Sequence, residues 1–176
     1  MTALLRFHKD ALLAQLNEMR PQQRARFAVE CARRLTPCYE RYHNESGKGD
    51  VNALHQFMTI ATDALADRSN PQSIETAAAQ CQQMVPDEDE DWTSSTGGAQ
   101  NAVIALTYAL RCLASGDAQD AVWAAVQGYE AADRRASTEL DIDFNVSGSE
   151  DRVLAHPAVQ SELQAQRDSL ERLSRP

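Results

Sequence analysis

Two acidic segments are the first candidates for chemistry in this sequence. Residues 87–91 are five consecutive acids, and residues 141–145 contain two aspartates that alternate with apolar residues. Alternating carboxylates are the ligand pattern of EF-hand calcium loops, which also need glycine at the sixth position and glutamate at the twelfth. A loop beginning at Asp87 has Trp92 and Gly98 there, and the second segment fails at the same two positions. Neither segment is therefore an EF-hand loop, and we expect no bound metal.

The histidines and serines form no catalytic or metal-binding pattern. His43 and His55 flank the turn at residues 46–49, where they could approach one another, but no carboxylate or thiol lies at a metal-ligand spacing beside them. The sequence contains no GxSxG, SxxK, Walker or dinucleotide-binding pattern. Tyr129 and Asp133, one helical turn apart, could line a polar pocket, although such a pair more often belongs to a boundary network. We expect no catalytic residue and no cofactor, with an enzyme built on Tyr129 and Asp133 as the less favoured interpretation.

The four cysteines are predicted to be buried, structural thiols. They are scattered, contain no CxxC pair, and each falls in a helical apolar pattern: Cys31, Cys38, Cys81 and Cys112. A free cysteine in such a pattern behaves as a small hydrophobic residue. The N-terminal residues are broken by charges and have no apolar run typical of a signal peptide, and no segment approaches the roughly 20 apolar residues of a membrane span. The sequence therefore predicts a cytoplasmic protein.

The net charge of −9 is confined to the middle of the chain. Residues 85–151 hold fourteen acids and three bases, a net of −11, whereas the segments on either side are each close to neutral. Nucleic acids and anionic membranes are disfavoured as partners, because both require clustered lysine and arginine. A basic protein would instead be attracted by long-range steering. The other interpretation of this charge is solubility alone.

The candidate partner-binding residues are the acids of residues 85–151 that flank an aromatic side chain. Tryptophan is enriched at the energetic centres of interfaces, and an acidic rim supplies steering. Trp92 could equally fix its loop to the core, and both interpretations remain open. The predicted set is Asp87, Glu88, Asp89, Glu90, Asp91, Trp92, Asp141, Asp143 and Phe144.

Hydrophobic periodicity predicts an all-α protein, a compact bundle of seven or eight helices in a single domain spanning residues 1–176. Apolar residues recur at helical spacing and capping residues separate the helices. The predicted helices cover about residues 3–18, 21–35, 38–45, 50–67, 71–85, 99–113, 118–137 and 157–173, the third being a short helix or a kinked continuation after Pro37. Residues 87–98 and 138–152 are predicted loops. Residues 140–146 are the single candidate for a short edge strand.

Two stretches resemble the YjaG-like family of uncharacterised bacterial proteins. FAVECARRLTPCYERYHNESGKGD, residues 27–50, is similar to a segment of that family with the approximate pattern FA…C.R..P.Y..F....G.GD. HPAVQSELQAQRDSLERL, residues 156–173, resembles the closing helix of the same proteins. The resemblance implies an all-helical fold without an assigned activity, and it supplies no catalytic residues.

Two functions are compatible with these observations. The favoured one is an immunity-type protein, which neutralises a cognate bacterial toxin by occupying its surface with an acidic face. Many toxins that attack nucleic acids are basic, which agrees with the charge of residues 85–151. The alternative is a cytoplasmic YjaG-like housekeeping protein of unknown role, in which the acids serve solubility and the partner is a second copy in a homo-oligomer.

Overall fold

The computed structural model describes residues 3–66, 70–87 and 92–175. Over these ranges the chain forms eight α-helices and no β-strand, which confirms the predicted all-α bundle. The helices are α1 (Lys9–Asn17), α2 (Pro21–Ser46), α3 (Val51–Ala66), α4 (Pro71–Gln82), α5 (Thr96–Ser115), α6 (Ala118–Glu139), α7 (Ser149–Leu154) and α8 (Pro157–Leu173).

Capping residues set the starts of several helices. The side chains of Asp50, Asn70 and Asp117 each accept a hydrogen bond from a backbone N–H in the first turn of the helix that follows. The imidazole of His156 does the same for α8, since its Nδ1 accepts from the Ala158 N–H at 3.2 Å. These bonds satisfy amides that have no partner inside the helix.

The first helix is shorter than its sequence predicts. We expected it to begin near residue 3, but residues 3–8 are not helical and α1 starts at Lys9. The backbone N–H of Leu5 donates to Oε1 of Gln160 at 2.9 Å, and the ring of Phe7 stacks on Tyr129 with centroids 5.1 Å apart. These tertiary contacts with α8 and α6 hold the segment in a non-helical conformation despite its helical sequence pattern.

Three further boundaries differ from the prediction. Pro37 lies inside α2, which continues to Ser46. Of the two predicted alternatives, the continued helix is therefore confirmed and the separate short helix is wrong. Helix α5 begins at Thr96 instead of residue 99, which places two buried or half-buried glycines in its first turn. The short helix α7 begins within the expected loop 138–152, and residues 140–146 form turns and irregular backbone instead of the candidate strand.

Helix α5 is the centre of the bundle. Twelve of its twenty residues are buried, and α2, α4 and α6 pack around it. Many of the residues at these contacts are alanines, which allow the helices to approach closely. The main core takes its largest enclosed side chains from α1, α2, α3 and α5, among them Leu16, Phe27, Tyr39, Leu54 and Leu106.

A second, smaller hydrophobic cluster lies where α6, α7 and α8 meet. It is built from Ala136, Val153, Leu154, Val159 and Leu163, with Phe7 and Ile142 packed against it. This cluster supports the connection between α6 and α7. None of the helices in the described ranges is both long and apolar enough to cross a lipid bilayer.

Candidate functional site

Helices α5 and α6 form an antiparallel hairpin whose open end carries those predicted binding residues that the structure describes. Gly116 and Asp117 join the two helices, so the start of α5 lies beside the end of α6. A Cβ atom at Gly97 would lie 2.7 Å from Cζ of Arg134, which places this guanidinium directly over the first turn of α5. The residues before α5 and those after α6 therefore emerge at the same end of the molecule. We call the described residues 87, 92–95 and 140–151 the acidic end.

The connection before α5 exposes its tryptophan. Trp92 is 51% exposed. Asp87 is exposed and follows Pro86, whose carbonyl accepts a hydrogen bond from the side chain of Gln100 at 2.9 Å. Four other predicted residues of this connection, Glu88, Asp89, Glu90 and Asp91, lie outside the described residues. The side chain of Ser95, which precedes α5, makes no capping hydrogen bond to the first turn of that helix.

The connection after α6 presents its aromatic residue to solvent. In the segment Leu140–Gly148, which we call the 140–148 loop, Ile142 packs against the second cluster while Phe144 is 62% and Val146 is 56% exposed. Asp141 and Asp143 are both exposed beside them. Phe144 belongs to the predicted binding set, whereas the sequence does not single out Val146, whose only signal is its alternation with Phe144.

Hydrogen bonds fix the shape of the 140–148 loop. Oδ1 of Asp143 accepts from the backbone N–H of Asn145 at 2.9 Å and from its side-chain amide at 2.8 Å. The hydroxyl of Ser149, itself buried, donates to the carbonyl of Asp143 at 2.6 Å. Asp141 has a positive φ of 48°, a conformation that aspartate tolerates better than most residues. These bonds thus hold the loop in a shape that leaves the side chains of Phe144 and Val146 exposed while Ile142 packs inwards.

The two ends of this segment are joined by a hydrogen bond between His156 and Glu139. Nε2 of His156, just before α8, lies 3.2 Å from Oε2 of Glu139 at the end of α6. Because Nδ1 of the same ring accepts from the Ala158 N–H, the neutral imidazole carries its proton on Nε2 and donates to Glu139. A hydrogen bond from Arg135 holds the pKa of Glu139 below its usual range, with the nearby His156 acting in the same direction.

The other candidate residues for chemistry have structural partners. Nδ1 of His43 contacts the Lys48 carbonyl at 2.9 Å, and Nε2 of His55 contacts Glu40 at 2.8 Å, so these two histidines do not pair with one another. The ring of Tyr129 is covered by Phe7, and burial raises the pKa of both Tyr129 and Asp133. In the described part of the chain, no three histidine, cysteine, aspartate or glutamate residues are grouped as metal ligands.

The cysteines lie where the sequence predicts. Cys31, Cys81 and Cys112 are buried and Cys38 is partly buried, all as free thiols. Burial raises the pKa of Cys31 and of Cys112 to about 12 and that of Cys81 to about 11. Such thiols stay protonated at neutral pH and are poor nucleophiles.

The structure contains a partly buried ion pair that the sequence analysis missed. The guanidinium of Arg34 on α2 donates to both carboxylate oxygens of Glu162 on α8 at 2.9 Å. Burial opposes the charge on Arg34, but the hydrogen bonds to Glu162 outweigh it and raise the pKa of Arg34 above its ordinary value. Gln166 also donates to Glu162, at 2.8 Å. With 128 positions between the partners, no local pattern could have revealed this pair, which joins the second and the last helix.

A pocket lies at the opposite end of the hairpin from the acidic end. Its volume is about 470 Å³, and its lining comes from the start of α2, the end of α3, Ile74 of α4 and the residues 112–116. One edge is Ala66, next to residues 67–69, which lie outside the described ranges. None of the predicted binding residues that the structure describes contributes to this pocket.

Comparisons with known proteins agree with this fold. A family model described as "Protein of unknown function (DUF416)" matches residues 11–176. The chain belongs to the DUF416 family. The crystal structure of a DUF416 family protein from Shewanella baltica OS155 is similar, with a TM-score of 0.80 at 19% sequence identity, covering 92% of this chain and 83% of that one. No curated protein matches the sequence. The resemblance drawn from residues 27–50 and 156–173 thus leads to a family without an assigned function, whereas the narrower YjaG-like assignment is not decided by these matches.

Proposed function

We propose that this DUF416 protein acts by binding another protein through its acidic end, as an immunity-type protein that neutralises a cognate toxin. The observation that carries this proposal is the exposure of Trp92 and Phe144 in two separate connections that emerge at the same end of the α5/α6 hairpin. Burying a large apolar side chain contributes roughly 2 kcal/mol, so a fold gains nothing by leaving two aromatic residues in water. A partner that covers them would recover this free energy.

The charge of the same region supports a basic partner. Residues 85–151 have a net charge of −11, and Asp87, Asp141 and Asp143 are exposed at the acidic end. A field of this sign accelerates encounter with a positively charged surface and opposes nucleic acids and anionic membranes. A toxin that cleaves or modifies nucleic acids has such a surface, and its cytoplasmic target would place the immunity protein in the same compartment.

A binding role without catalysis also agrees with the state of the candidate reactive groups. The three most buried cysteines have raised pKa values, His43 and His55 contact other groups, and Tyr129 is stacked. We therefore propose that the protein is not an enzyme. We propose that Trp92, Phe144 and their neighbouring acids are the functional residues of the protein, and that they act by binding.

Co-expression tests this function. The gene beside the one that encodes this chain would be expressed in a bacterial host with and without the protein, and growth would be recorded. We expect the neighbour to arrest growth alone and the protein to restore it, with the Trp92→Ala/Phe144→Ala double variant restoring it at least tenfold less well. Ile60→Ala, which removes an exposed apolar side chain from α3, is the matched control. A neighbour that does not inhibit growth, or full protection by the double variant, would count against the proposal.

The alternative is a YjaG-like housekeeping role in which the protein is a homo-oligomer. Membership of a family without an assigned function is compatible with this role. Light scattering on the purified protein separates the two. A monomer of 19.4 kDa supports the immunity-type role, and an oligomer whose interface includes Phe144 supports the alternative.

A further inference from the structure

We propose that the 140–148 loop is a preformed docking element that inserts Phe144 into an apolar pocket rimmed by basic groups on the partner protein. This inference rests on the proposed function, because it names the chemistry of the partner at the same end of the molecule. It is more specific than the proposed function, because it assigns recognition of the partner to one loop and to the side chain of Phe144.

The orientation of the loop's apolar residues is the first observation. Ile142 faces the second hydrophobic cluster, whereas Phe144 and Val146, at alternate positions, are 62% and 56% exposed. The loop already has its own inward-facing side chain, so Phe144 and Val146 are not needed to hold it on the bundle. Their position matches that of a projecting side chain that a partner's pocket surrounds.

The second observation is the unpaired charge around Phe144. Asp141 and Asp143 are exposed, and over the described ranges no arginine, lysine or histidine lies within ion-pair distance of either carboxylate. By contrast, Glu139 at the base of the loop is paired with Arg135 and His156, and Asp151 lies 3.6 Å from Arg6. The two aspartates beside Phe144 are thus available to cations that another molecule supplies.

The negative charge of Asp141 and Asp143 indicates which class of partner can bind the 140–148 loop. A second copy would bring its own aspartates towards the same loop, so self-pairing through this surface is repulsive. Nucleic acid and anionic lipid carry the same sign and are opposed as well. A protein with an apolar pocket and a basic rim is complementary to both the ring and the carboxylates.

The fixed geometry of the loop favours this mode of binding. The bonds from Asn145 to Asp143 and from Ser149 to the Asp143 carbonyl hold Phe144 in position before any partner arrives. A side chain on an ordered loop loses less conformational freedom on binding than one on a flexible segment. Insertion of Phe144 should therefore control mainly the dissociation rate, and the aspartates mainly the association rate.

Photo-crosslinking in cells identifies the partner. The full chain would carry Phe144→p-benzoylphenylalanine, with Ile60→p-benzoylphenylalanine on α3 as the control position. We expect a discrete protein adduct at 144 that is absent at 60, with the crosslinked peptide lying on a basic surface of the captured protein. The adduct should weaken at least fivefold with Asp141→Asn, which keeps a residue that tolerates positive φ and removes the charge. Adducts with a second copy, adducts equally strong at position 60, or an adduct unaffected by Asp141→Asn would overturn the proposal.

Binding kinetics with the captured protein, purified, then test the role of each group. Phe144→Ala should raise the dissociation rate at least tenfold, Asp141→Asn should lower the association rate and its dependence on salt, and Ile60→Ala should change neither more than twofold. Ser149→Ala should weaken binding severalfold through loss of the bond to the Asp143 carbonyl. If the captured protein binds but Phe144→Ala leaves its dissociation rate unchanged, the docking element is wrong while the proposed function stands. Complete loss of binding in Trp92→Ala, with Phe144→Ala binding normally, would likewise overturn the docking element and leave the proposed function standing.

Discussion

Arg34 and Glu162 form an ion pair that is largely withdrawn from water. Their side chains are 27% and 12% exposed, and two parallel hydrogen bonds of 2.9 Å join them. Gly128 makes room for this pair, because a Cβ atom there would lie 2.5 Å from Oε1 of Glu162. The pair thus fixes how α8 lies against α2 and α6.

Removing one partner should be costly. We expect Glu162→Ala to lower the free energy of unfolding by about 3 kcal/mol, because it leaves the Arg34 guanidinium partly buried without its carboxylate. Urea denaturation monitored by circular dichroism measures this change. Arg167→Ala is the matched control, since it breaks an exposed Arg167–Glu171 pair of 2.9 Å and should cost less than about 0.5 kcal/mol. Equal losses in the two variants would show that the pair at α2 and α8 is no more important than one on the surface.

The buried cysteines predict how stability changes at alkaline pH. The pKa of Cys31 and of Cys112 is raised from 9.0 to about 12, so the folded protein retains these protons while the unfolded chain releases them above pH 9. The stabilising contribution is therefore complete below pH 9 and is lost as the pH rises towards 12, by roughly 1.4 kcal/mol per pH unit for each thiol. Urea unfolding at pH 8, 9, 10 and 11 should show the decline, and Cys112→Ala should reduce its slope. A slope that Cys112→Ala leaves unchanged would contradict the assignment.

At the scale of the elements, the sequence predicts helices best where a cap marks their start. Asp50, Asn70, Asp117 and His156 each precede a helix that begins within a residue of its expected position. The predictions fail where tertiary contacts determine the local conformation of a segment. Residues 3–8 have a helical pattern but are not helical in the structure, where Leu5 bonds to Gln160 and Phe7 stacks on Tyr129. The intrinsic helix propensity of a short segment is weak compared with such contacts. The local sequence contains no information about these contacts.

Glycines at two helix ends allow a matched comparison. Gly47 ends α2 and Gly116 ends α5, with φ values of 69° and 72° that favour glycine. A Cβ atom at Gly47 would meet nothing within 4 Å, whereas one at Gly116 would lie 2.7 Å from Cβ of Pro21. We expect Gly47→Ala to cost about 1 kcal/mol from backbone strain alone and Gly116→Ala to cost about 2 kcal/mol more from the added clash.

Thermal and urea unfolding of the two variants would measure the difference. The comparison is informative because both changes add one methyl group at a left-handed position. A cost at Gly47 equal to that at Gly116 would mean that the contact between Pro21 and the α5–α6 turn does not constrain the bundle.

At the scale of the whole molecule, the candidate site was predictable in part. The acids and aromatic residues that stand out in the sequence, such as Asp143 and Phe144, are indeed exposed. What the sequence does not contain is that two connections about fifty residues apart emerge side by side, since that follows from the antiparallel hairpin of α5 and α6. The sequence also does not show that Ile142 packs against the second cluster while Val146 is exposed.

The N-terminal segment is bonded to α8, and this contact stabilises the hydrophobic cluster on which the 140–148 loop packs. Gln160 on α8 accepts a hydrogen bond from the Leu5 N–H and donates to the carbonyls of Leu5 and Leu154, at 2.8 to 3.0 Å. Leu154 and Phe7 then pack in the second cluster, on which Ile142 of the 140–148 loop also lies. Loss of the Gln160 contacts should therefore loosen a region much larger than one side chain.

We expect Gln160→Ala to lower the free energy of unfolding by about 2 kcal/mol, because the Leu5 and Leu154 backbone groups lose a partner in a partly buried setting. Hydrogen exchange should increase together in residues 5–7, in α7 and in the first turn of α8, since these segments share one cluster. Gln164→Ala, which removes an exposed glutamine bonded at 2.7 Å to Asp168 alone, should change stability by less than about 0.5 kcal/mol and leave exchange in these segments unaltered. If Gln160→Ala instead speeds exchange in residues 5–7 only, the N-terminal segment is an independent arm and does not support the loop that carries Phe144.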